Sequence, residues 1–310
     1  MIYLEKNFNK ICLIIGWGSI GKRHYQVLQK YFKEIIVVSR HMKGKNFFDS
    51  IHKVPAIEQV DYVVIANETS EHKNTLEDVR VSVPGAPILV EKPLFLNLHE
   101  VNETVFQQVY VGYNLRFSKV TDKIRSFLRN NKVFYADFYA GQYLPSWRPE
   151  SDYKNSYSSK SEKGGGVLRD LSHEIDLCLS LMGPYQNCCG LMKKVSDLHI
   201  ETEDVAIGVL ETMSGSLCTI RVDYLNTEPT RVVTLHTEHG TIVADYNKNT
   251  VDTPMEKFIF ESDRNYSYDQ MHKNILGKKL DYVCNYHDGI KVMKIIEKIE
   301  VFNNLGSFIK

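Results

Sequence analysis

Three short stretches of this chain carry residue types able to do chemistry. The first is Gly16-Trp17-Gly18-Ser19-Ile20-Gly21, whose glycines fit GxGxxG. Gly16 permits a tight turn, Gly18 lets the backbone approach a pyrophosphate, and Gly21 lets a following helix pack on the preceding strand. The second is Glu91-Lys92-Pro93, which puts an ammonium directly after an apolar run. The third is GGGVLRDLSHEID (164–176), in which Asp170, His173 and Asp176 recur at roughly helical spacing. A carboxylate three residues from an imidazole can orient it and favour its charged form.

These residues need a scaffold, and the hydrophobic pattern supplies one. ICLII (11–15), IIVVS (35–39), YVVIA (62–66) and PILVE (87–91) are short apolar runs of the kind that parallel strands buried on both faces show. KRHYQVLQKYF follows the glycine turn as a helix, with Tyr25, Leu28 and Phe32 on one face. Alternating strands and helices imply βαβ units with right-handed crossovers. After about residue 112 the pattern changes. VFYADFYAGQYL (133–144), AIGVLETM (206–213), SLCTIRVDY (216–224), RVVTLHTEHGTIVADY (231–246) and KFIFES (257–262) read as half-exposed antiparallel strands, with a turn at His239-Gly240. Helical patterns cover 119–130, 168–182 and 286–302. In the second of these, Leu171, Ile175, Cys178 and Met182 form the core stripe, while Asp170, His173 and Asp176 share another face. The expected fold class is therefore α/β. A Rossmann dinucleotide-binding domain spans residues 1–112, and an α+β domain with an open, mostly antiparallel sheet spans 113–310.

Composition narrows the function. The 310 residues contain 38 basic and 38 acidic side chains. A grip on nucleic acid or anionic membrane would need a basic excess, so neither is an expected partner. No run approaches the ~20 apolar residues of a membrane span. MIYLEKNFNK lacks the apolar stretch of a secretory signal. The six cysteines are scattered without a CxxC pair, so neither a metal site nor a disulfide framework is expected, and Cys188 and Cys189 read as reduced thiols in a loop. Together these point to the cytoplasm. The remaining histidines, His236, His239, His272 and His287 among them, show no ligand spacing and read as structural or surface residues.

The second strand ends where an adenosine ribose would lie. An acid there would accept from the 2′-hydroxyl and select NAD. The chain has none between Glu34 and Asp49, and Ser39 and Arg40 stand in its place. Arginine pairs a 2′-phosphate bidentately, so NADP is the expected cofactor, with NAD as the alternative.

Taken together, GWGSIGKRH (16–24), IANETSEHKNT (65–75), EKPL (91–94), GYNLRF (112–117) and GGGVLRDLSHEID occur in an order that resembles the Gfo/Idh/MocA family, named for glucose–fructose oxidoreductase and inositol dehydrogenase. The resemblance spans most of the chain. It implies an NAD(P)-dependent oxidoreductase acting on a small sugar-like substrate, and a homodimer or homotetramer formed through the open sheet. It adds Ala66, Asn67, Thr69, His72, Glu91 and Lys92 to the cofactor-binding residues. It places Lys92 beside the nicotinamide and the substrate hydroxyl, and makes His173 the base, with Asp170 beside it. Pro93 is expected to follow a cis bond. Asn114, Arg116 and Asp176 are candidate substrate ligands. So are Trp147, Arg148 and Tyr153, whose aromatic and guanidinium groups suit a sugar with a charged substituent. GQYLPSWRPESDY resembles a branch found among bacterial surface-glycan enzymes, which implies a nucleotide sugar or sugar acid. The polar, glycine-rich Ser156–Gly166 reads as a mobile lid.

Two features depart from the family pattern. Glu68 stands where the family carries proline, and only two residues separate Asp170 from His173 where the family has three. In a continuous helix such a shift rotates a side chain by ~100°. Oxidation of a secondary alcohol needs a hydride acceptor and a base. Histidine, with an ordinary pKa of ~6.5, can be that base, and lysine can stabilise the developing charge. Two other roles use the same residue set: a nucleotide-binding regulatory protein without turnover, and a lyase or glycosidase that recycles its cofactor.

Overall fold

The structure, a computed structural model, describes residues 7–40, 42–98, 108–147, 149–150 and 152–304. The chain forms two compact units. One runs to Asn114 and takes in Arg264–Ile290; the other holds Leu115–Asp263 and the residues from Lys291 onward.

In the first unit, six strands among the described residues lie side by side: β1 (Asn7–Ile15), β2 (Phe32–Val38), β3 (Phe47–Phe48), β4 (Tyr62–Ile65), β5 (Ile88–Val90) and β6 (Val109–Val111). All are parallel and run in the order β3-β2-β1-β4-β5-β6. Helices α1 (Ser19–Leu28) and α2 (His72–Ser82) are the crossovers. The β-branched strand cores are fully buried, as a parallel sheet covered on both faces requires. Strand order reverses between β1 and β4, which is where doubly wound sheets bind ligands. Ile15, Ile65 and Val90 lie opposite one another in register, so the carboxyl ends of β1, β4 and β5 form one edge.

The second unit contains α3 (Lys119–Leu128), β7 (Val133–Gly141), the single-turn α4 (Leu144–Trp147) and α5 (Val167–Asp170), and α6 (His173–Met182). Seven further strands follow: β8 (Tyr185–Lys193), β9 (Val205–Thr212), β10 (Leu217–Asp223), β11 (Thr230–Thr237), β12 (Gly240–Asp245), β13 (Thr250–Asp252) and β14 (Lys257–Ile259). Their order is β14-β13-β12-β11-β7-β10-β9-β8. Neighbours are antiparallel except β7 and β10, which run parallel. Along β9, Ala206, Gly208 and Leu210 are buried while Ile207 and Val209 are exposed, so one face packs and the other is open.

Five expectations change. Phe32 was expected on the first helix, but α1 ends at Leu28 and Phe32 opens β2. Residues 113–310 were expected to form one domain, but Arg264–Ile290 returns to the first unit. Its helix α7 (Tyr266–Leu276) buries Tyr268, Met271, His272 and Ile275 at i, i+3, i+4 and i+7, and Val111 N–H donates to Cys284 O at 2.8 Å. Cys188 and Cys189 stand in β8 rather than a loop; their flanking Asn and Gly hide the strand pattern. The helix expected over 168–182 breaks at Leu171 and Ser172, so Asp170 and His173 belong to different helices.

Finally, Ser156–Gly166 is packed rather than lid-like. Ser158 and Ser159 are buried, Thr202 Oγ1 donates to Ser158 O at 2.9 Å, and Glu201 N–H to Ser159 O at 2.9 Å. A Cβ on Gly165 would stand 2.2 Å from Tyr157 O, so the glycine exists for close approach, not for motion. The last helix, α8 (Tyr286–Asn304), buries Val292, Ile295, Ile296 and Ile299. No helix among the described residues is long and apolar enough to cross a membrane.

Candidate active site

The glycine turn is built by backbone contact. Gly16 adopts φ +104°, and a Cβ there would stand 2.3 Å from Ala66 O. A Cβ on Gly21 would stand 2.1 Å from Gly16 O. The end of β4, the turn and the first turn of α1 thus touch main chain to main chain. Gly18 differs: nothing lies within 4 Å of where its Cβ would be. Helix α1 starts at Ser19 without a side-chain cap and without an acid in its first turn. Its leading N–H groups and positive dipole end therefore face open space, which is the environment a pyrophosphate requires. The dinucleotide fits this turn.

Around it, Trp17 meets Tyr25 and Phe47 edge-on at 5.2 and 5.1 Å, and Ile20 is half-buried. Ser39 N–H donates to Phe48 O at 2.8 Å, and Arg40 is exposed just past the end of β2. Beyond β4, Asn67 Nδ2 donates to Thr75 Oγ1 at 2.8 Å, and its Oδ1 is buried with no partner among the described residues. That oxygen is an acceptor a cofactor hydroxyl could satisfy. Glu68 adopts φ −66°, the value proline fixes, so the missing proline costs the turn nothing in shape. Thr69 follows, half-buried.

His72 holds backbone. Its Nδ1 lies 3.1 Å from Pro93 O and 3.2 Å from Leu94 O, and Nε2 lies 3.3 Å from Asn67 O. Carbonyls only accept, so a neutral ring can donate on the Nδ1 side or on the Nε2 side, not on both at once. Burial pushes this imidazole below the usual histidine range, against the pull of those carbonyls, and it stays neutral at neutral pH. His72 thus lies between β4's exit and the Lys92–Pro93 turn, whose peptide bond is cis. Lys92 itself is partly buried. The Glu91 carboxylate points inward and takes a hydrogen bond from His24 Nε2 at 2.8 Å. Asn114 Nδ2 donates to Ser267 Oγ at 2.6 Å.

The second unit gathers the other candidates. Arg116 and Asp176 bind each other: Nε donates to both carboxylate oxygens at 3.0 Å and Nη2 to Oδ1 at 2.7 Å. Both are buried, Asp176 completely. Glu174 is likewise buried and accepts from Arg231 Nε at 2.7 Å. Asp170 accepts from the Tyr224 hydroxyl at 2.6 Å, and burial raises that phenol well above its usual range, so it remains a donor. His173 is buried at the first turn of α6. The expected polar face of this helix is thus internal, because each acid meets a cation or hydroxyl from another element. Trp147 Nε1 donates to Gln142 O at 3.1 Å and its ring meets Tyr224 edge-on at 5.3 Å. Tyr153 Oη accepts from His199 N–H at 3.3 Å. Arg148 lies outside the described residues.

Two positions escaped the sequence reading. His24 ends the quoted GWGSIGKRH motif, yet an imidazole on an apolar helix face gives no local sign of a partner. Glu203 caps the glycine run from below. Its carboxylate accepts from Leu168 N–H at 3.1 Å, and its own carbonyl accepts from Val167 N–H at 3.4 Å. Among the described residues no cluster of His, Cys, Asp and Glu could hold a metal.

Residues 10–107 match the oxidoreductase family with an NAD-binding Rossmann fold, and residues 134–243 match the GFO/IDH/MocA C-terminal domain. No curated protein matches the chain by sequence. Among solved structures, levoglucosan dehydrogenase in complex with NADH superposes with TM-score 0.80 at 14% identity, covering 96% of this chain and 97% of that one. GenD2 from gentamicin A biosynthesis, in complex with NAD, gives 0.78 at 18% identity, over 96% and 95%. UDP-N-acetylglucosamine 3-dehydrogenase GnnA from Acidithiobacillus ferrooxidans gives 0.74 at 17%, over 94% and 97%. At these identities the likeness is one of fold.

Glu203 makes stability depend on pH. Burial pushes its carboxyl up to about 7, opposed by the Leu168 N–H, its own N–H and Arg169 and aided by Glu300. Between the ordinary carboxyl range and 7 the folded chain holds a proton that the unfolded chain has released, so stability falls as pH rises through this window. Relative to Glu203→Gln, the unaltered protein should lose on the order of 3 kcal/mol from pH ~4.5 to ~7.5 in denaturant titrations. Parallel stability curves for the two proteins would contradict this.

Proposed function

This chain belongs to the Gfo/Idh/MocA oxidoreductase family, and we propose that it transfers a hydride between NADP and a secondary hydroxyl or ketone of a sugar derivative. The observation that carries the proposal is the open, uncapped turn at Gly18 on the same sheet edge as Lys92. Strands lie ~4.8 Å apart, so Lys92 leaves the edge about two strand spacings from the glycine turn. The turn would hold the pyrophosphate, with Asn67 and Thr69 beside it. When bound, the nicotinamide supplies the hydride acceptor. Lys92 donates to the reacting oxygen and stabilises its developing negative charge. His173 takes the hydroxyl proton as a neutral imidazole.

Arg116 and Asp176 are committed to each other, so their part is to hold α6, and with it His173, in place. Substrate recognition falls to the partly exposed Trp147 and Tyr153. Sugar and nucleotide-sugar dehydrogenases share this fold, which supports a sugar, nucleotide sugar or sugar acid as substrate. Six free thiols suit a reducing cytoplasm.

Turnover tests the central claim. The unaltered protein is incubated with NADP or NAD and a panel of sugars and nucleotide sugars while nicotinamide absorbance is followed. Lys92→Met should lower turnover about a thousandfold while cofactor binding stays within about threefold. His173→Asn should remove the limb of the pH–rate profile near neutrality. Unchanged turnover in Lys92→Met, or an unchanged profile in His173→Asn, sinks that residue's role.

The cofactor preference rests on Arg40. It is exposed at the end of β2, where no acid stands to take a ribose 2′-hydroxyl. Arg40→Ala should weaken NADP binding about tenfold or more and leave NAD binding nearly unchanged. Equal effects on both cofactors would assign Arg40 to neither.

The open face of the second sheet suits a homodimer or homotetramer. It carries Leu191, Ile207 and Val209, exposed by 41%, 43% and 39%, beside Tyr135 stacked on His236 at 5.5 Å and Arg221 held by Asp137 at 2.8 Å. Apolar residues set among ordered polar pairs are the make-up of a buried interface. Light scattering should find an oligomer that Ile207→Glu converts to monomer; a monomeric unaltered protein refutes the assignment.

A further inference from the structure

Behind the Glu91–Lys92 turn, the first unit buries a run of polar side chains: Tyr62 at the start of β4, His272 in α7, His24 in α1, and Glu91. The first three have no exposed surface and Glu91 retains 7%. They are joined end to end. Tyr62 Oη lies 3.0 Å from His272 Nδ1, His272 Nε2 lies 2.8 Å from His24 Nδ1, and His24 Nε2 lies 2.8 Å from Glu91 Oε1.

The direction of each bond follows from the ends of the chain. A carboxylate only accepts, so His24 carries its proton on Nε2. At the other end, Tyr62 Oη has His272 Nδ1 as its partner, so the hydroxyl donates and that nitrogen accepts. The His272 ring then carries its proton on Nε2 and donates it to His24 Nδ1. Burial holds His272 well below the usual histidine range, and Lys30 adds to the effect. Burial also pushes the Tyr62 phenol well above its usual range, with Cys12, Tyr110 and Glu91 adding to the effect. The Tyr268 ring, edge-on to His24 at 5.4 Å, closes the remaining side. His272 therefore stays neutral and Tyr62 stays protonated through neutral pH, and all three hydrogen bonds point toward Glu91.

We propose that Tyr62, His272 and His24 are positioning residues: their directional hydrogen-bond chain holds the Glu91 carboxylate inward and so sets the backbone from which Lys92 projects. Glu91 is gripped on every side that matters for this. Its N–H donates to Ile65 O at 2.8 Å, and its second carboxylate oxygen accepts from Lys92 N–H at 3.3 Å. Gly112 leaves the room, since a Cβ there would stand 2.6 Å from Glu91 Oε1. The proposal rests on the reading of Lys92 above only for what the chain positions.

Nitrogen NMR of the histidine rings in the whole protein reads the protonated nitrogen directly. Near neutral pH both rings should carry the proton on Nε2, and His272 should show no titration step. A proton on Nδ1 of either ring, or a His272 titration step near neutrality, overturns the proposal. His272→Leu removes the donor to His24 and should weaken NADPH binding about tenfold, as a stranded buried acceptor implies. His272→Gln, whose carboxamide offers a donor and an acceptor, should recover binding to within about threefold. Equal loss in both variants, or loss in neither, also overturns it. If the leucine variant does not fold, Tyr62→Phe must move the His272 Nδ1 signal and keep Nε2–H on both rings; an unmoved signal counts against the chain. Lys92→Met leaves the ring tautomers untouched whatever it does to turnover, so failure of this proposal and failure of the Lys92 reading are separable.

Discussion

The first unit depends on main chain meeting main chain at the point where strand order reverses. Gly16, Gly21 and the end of β4 approach so closely that a single methyl on either glycine would collide with a carbonyl. That approach draws α1 down onto β1 and β4 and aims its uncapped start along the sheet edge. It also leaves Gly18 bare. An anion site of this kind needs no charged side chain, because the helix end and the free N–H groups supply the positive potential. Lys92 is then the charge that the same edge adds, and His72 lies between the carbonyl of Pro93 in its turn and that of Asn67 at the exit of β4.

The second unit solves a different problem. Helix α6 brings two carboxylates and an imidazole into a buried setting, where unpaired charge costs several kcal/mol. Each acid is met from a different direction. Arg116 reaches Asp176 from the segment before α3, Arg231 reaches Glu174 from β11, and Tyr224 reaches Asp170 from the end of β10. Arg116 and Arg231 act as guy-ropes on α6 from two elements and leave it little freedom to rotate, while Tyr224 holds Asp170 of α5. Residues that sequence reading assigned to substrate contact are better understood as fixing the helix that bears His173.

Much of this was legible in the residues. The strands that end near Ile15, Ile65 and Val90, the glycine turn and the lysine after β5 follow from local pattern and motif, whereas the residue types alone leave the isomer before Pro93 open. What escaped has a common physical cause. The return of Arg264–Ile290 to the first unit depends on His272 meeting His24, a contact across 248 residues that no local periodicity encodes. The pairing of Arg116 with Asp176 is equally non-local, so two separately plausible ligands could not be seen to neutralise each other. Ser156–Gly166 looked loose because its composition is polar and rich in glycine. Its glycine is there because three backbone carbonyls leave no room for a side chain.

The two-residue gap between Asp170 and His173 shows how such a contact network changes the meaning of a spacing. Within one continuous helix, losing a residue would swing the imidazole by ~100° relative to the carboxylate. Here the chain leaves helical geometry at Leu171, with φ −103° and ψ +31°, and re-enters it at His173. The two side chains are consequently not related by helical rotation at all. Asp170 is placed by Tyr224 and by the glycine turn that Glu203 caps, whereas His173 and Asp176 move together on α6 and are placed by Arg116. A deletion at the break shortens a linker and leaves both anchors intact, so the shortened spacing is no argument against His173 as the base.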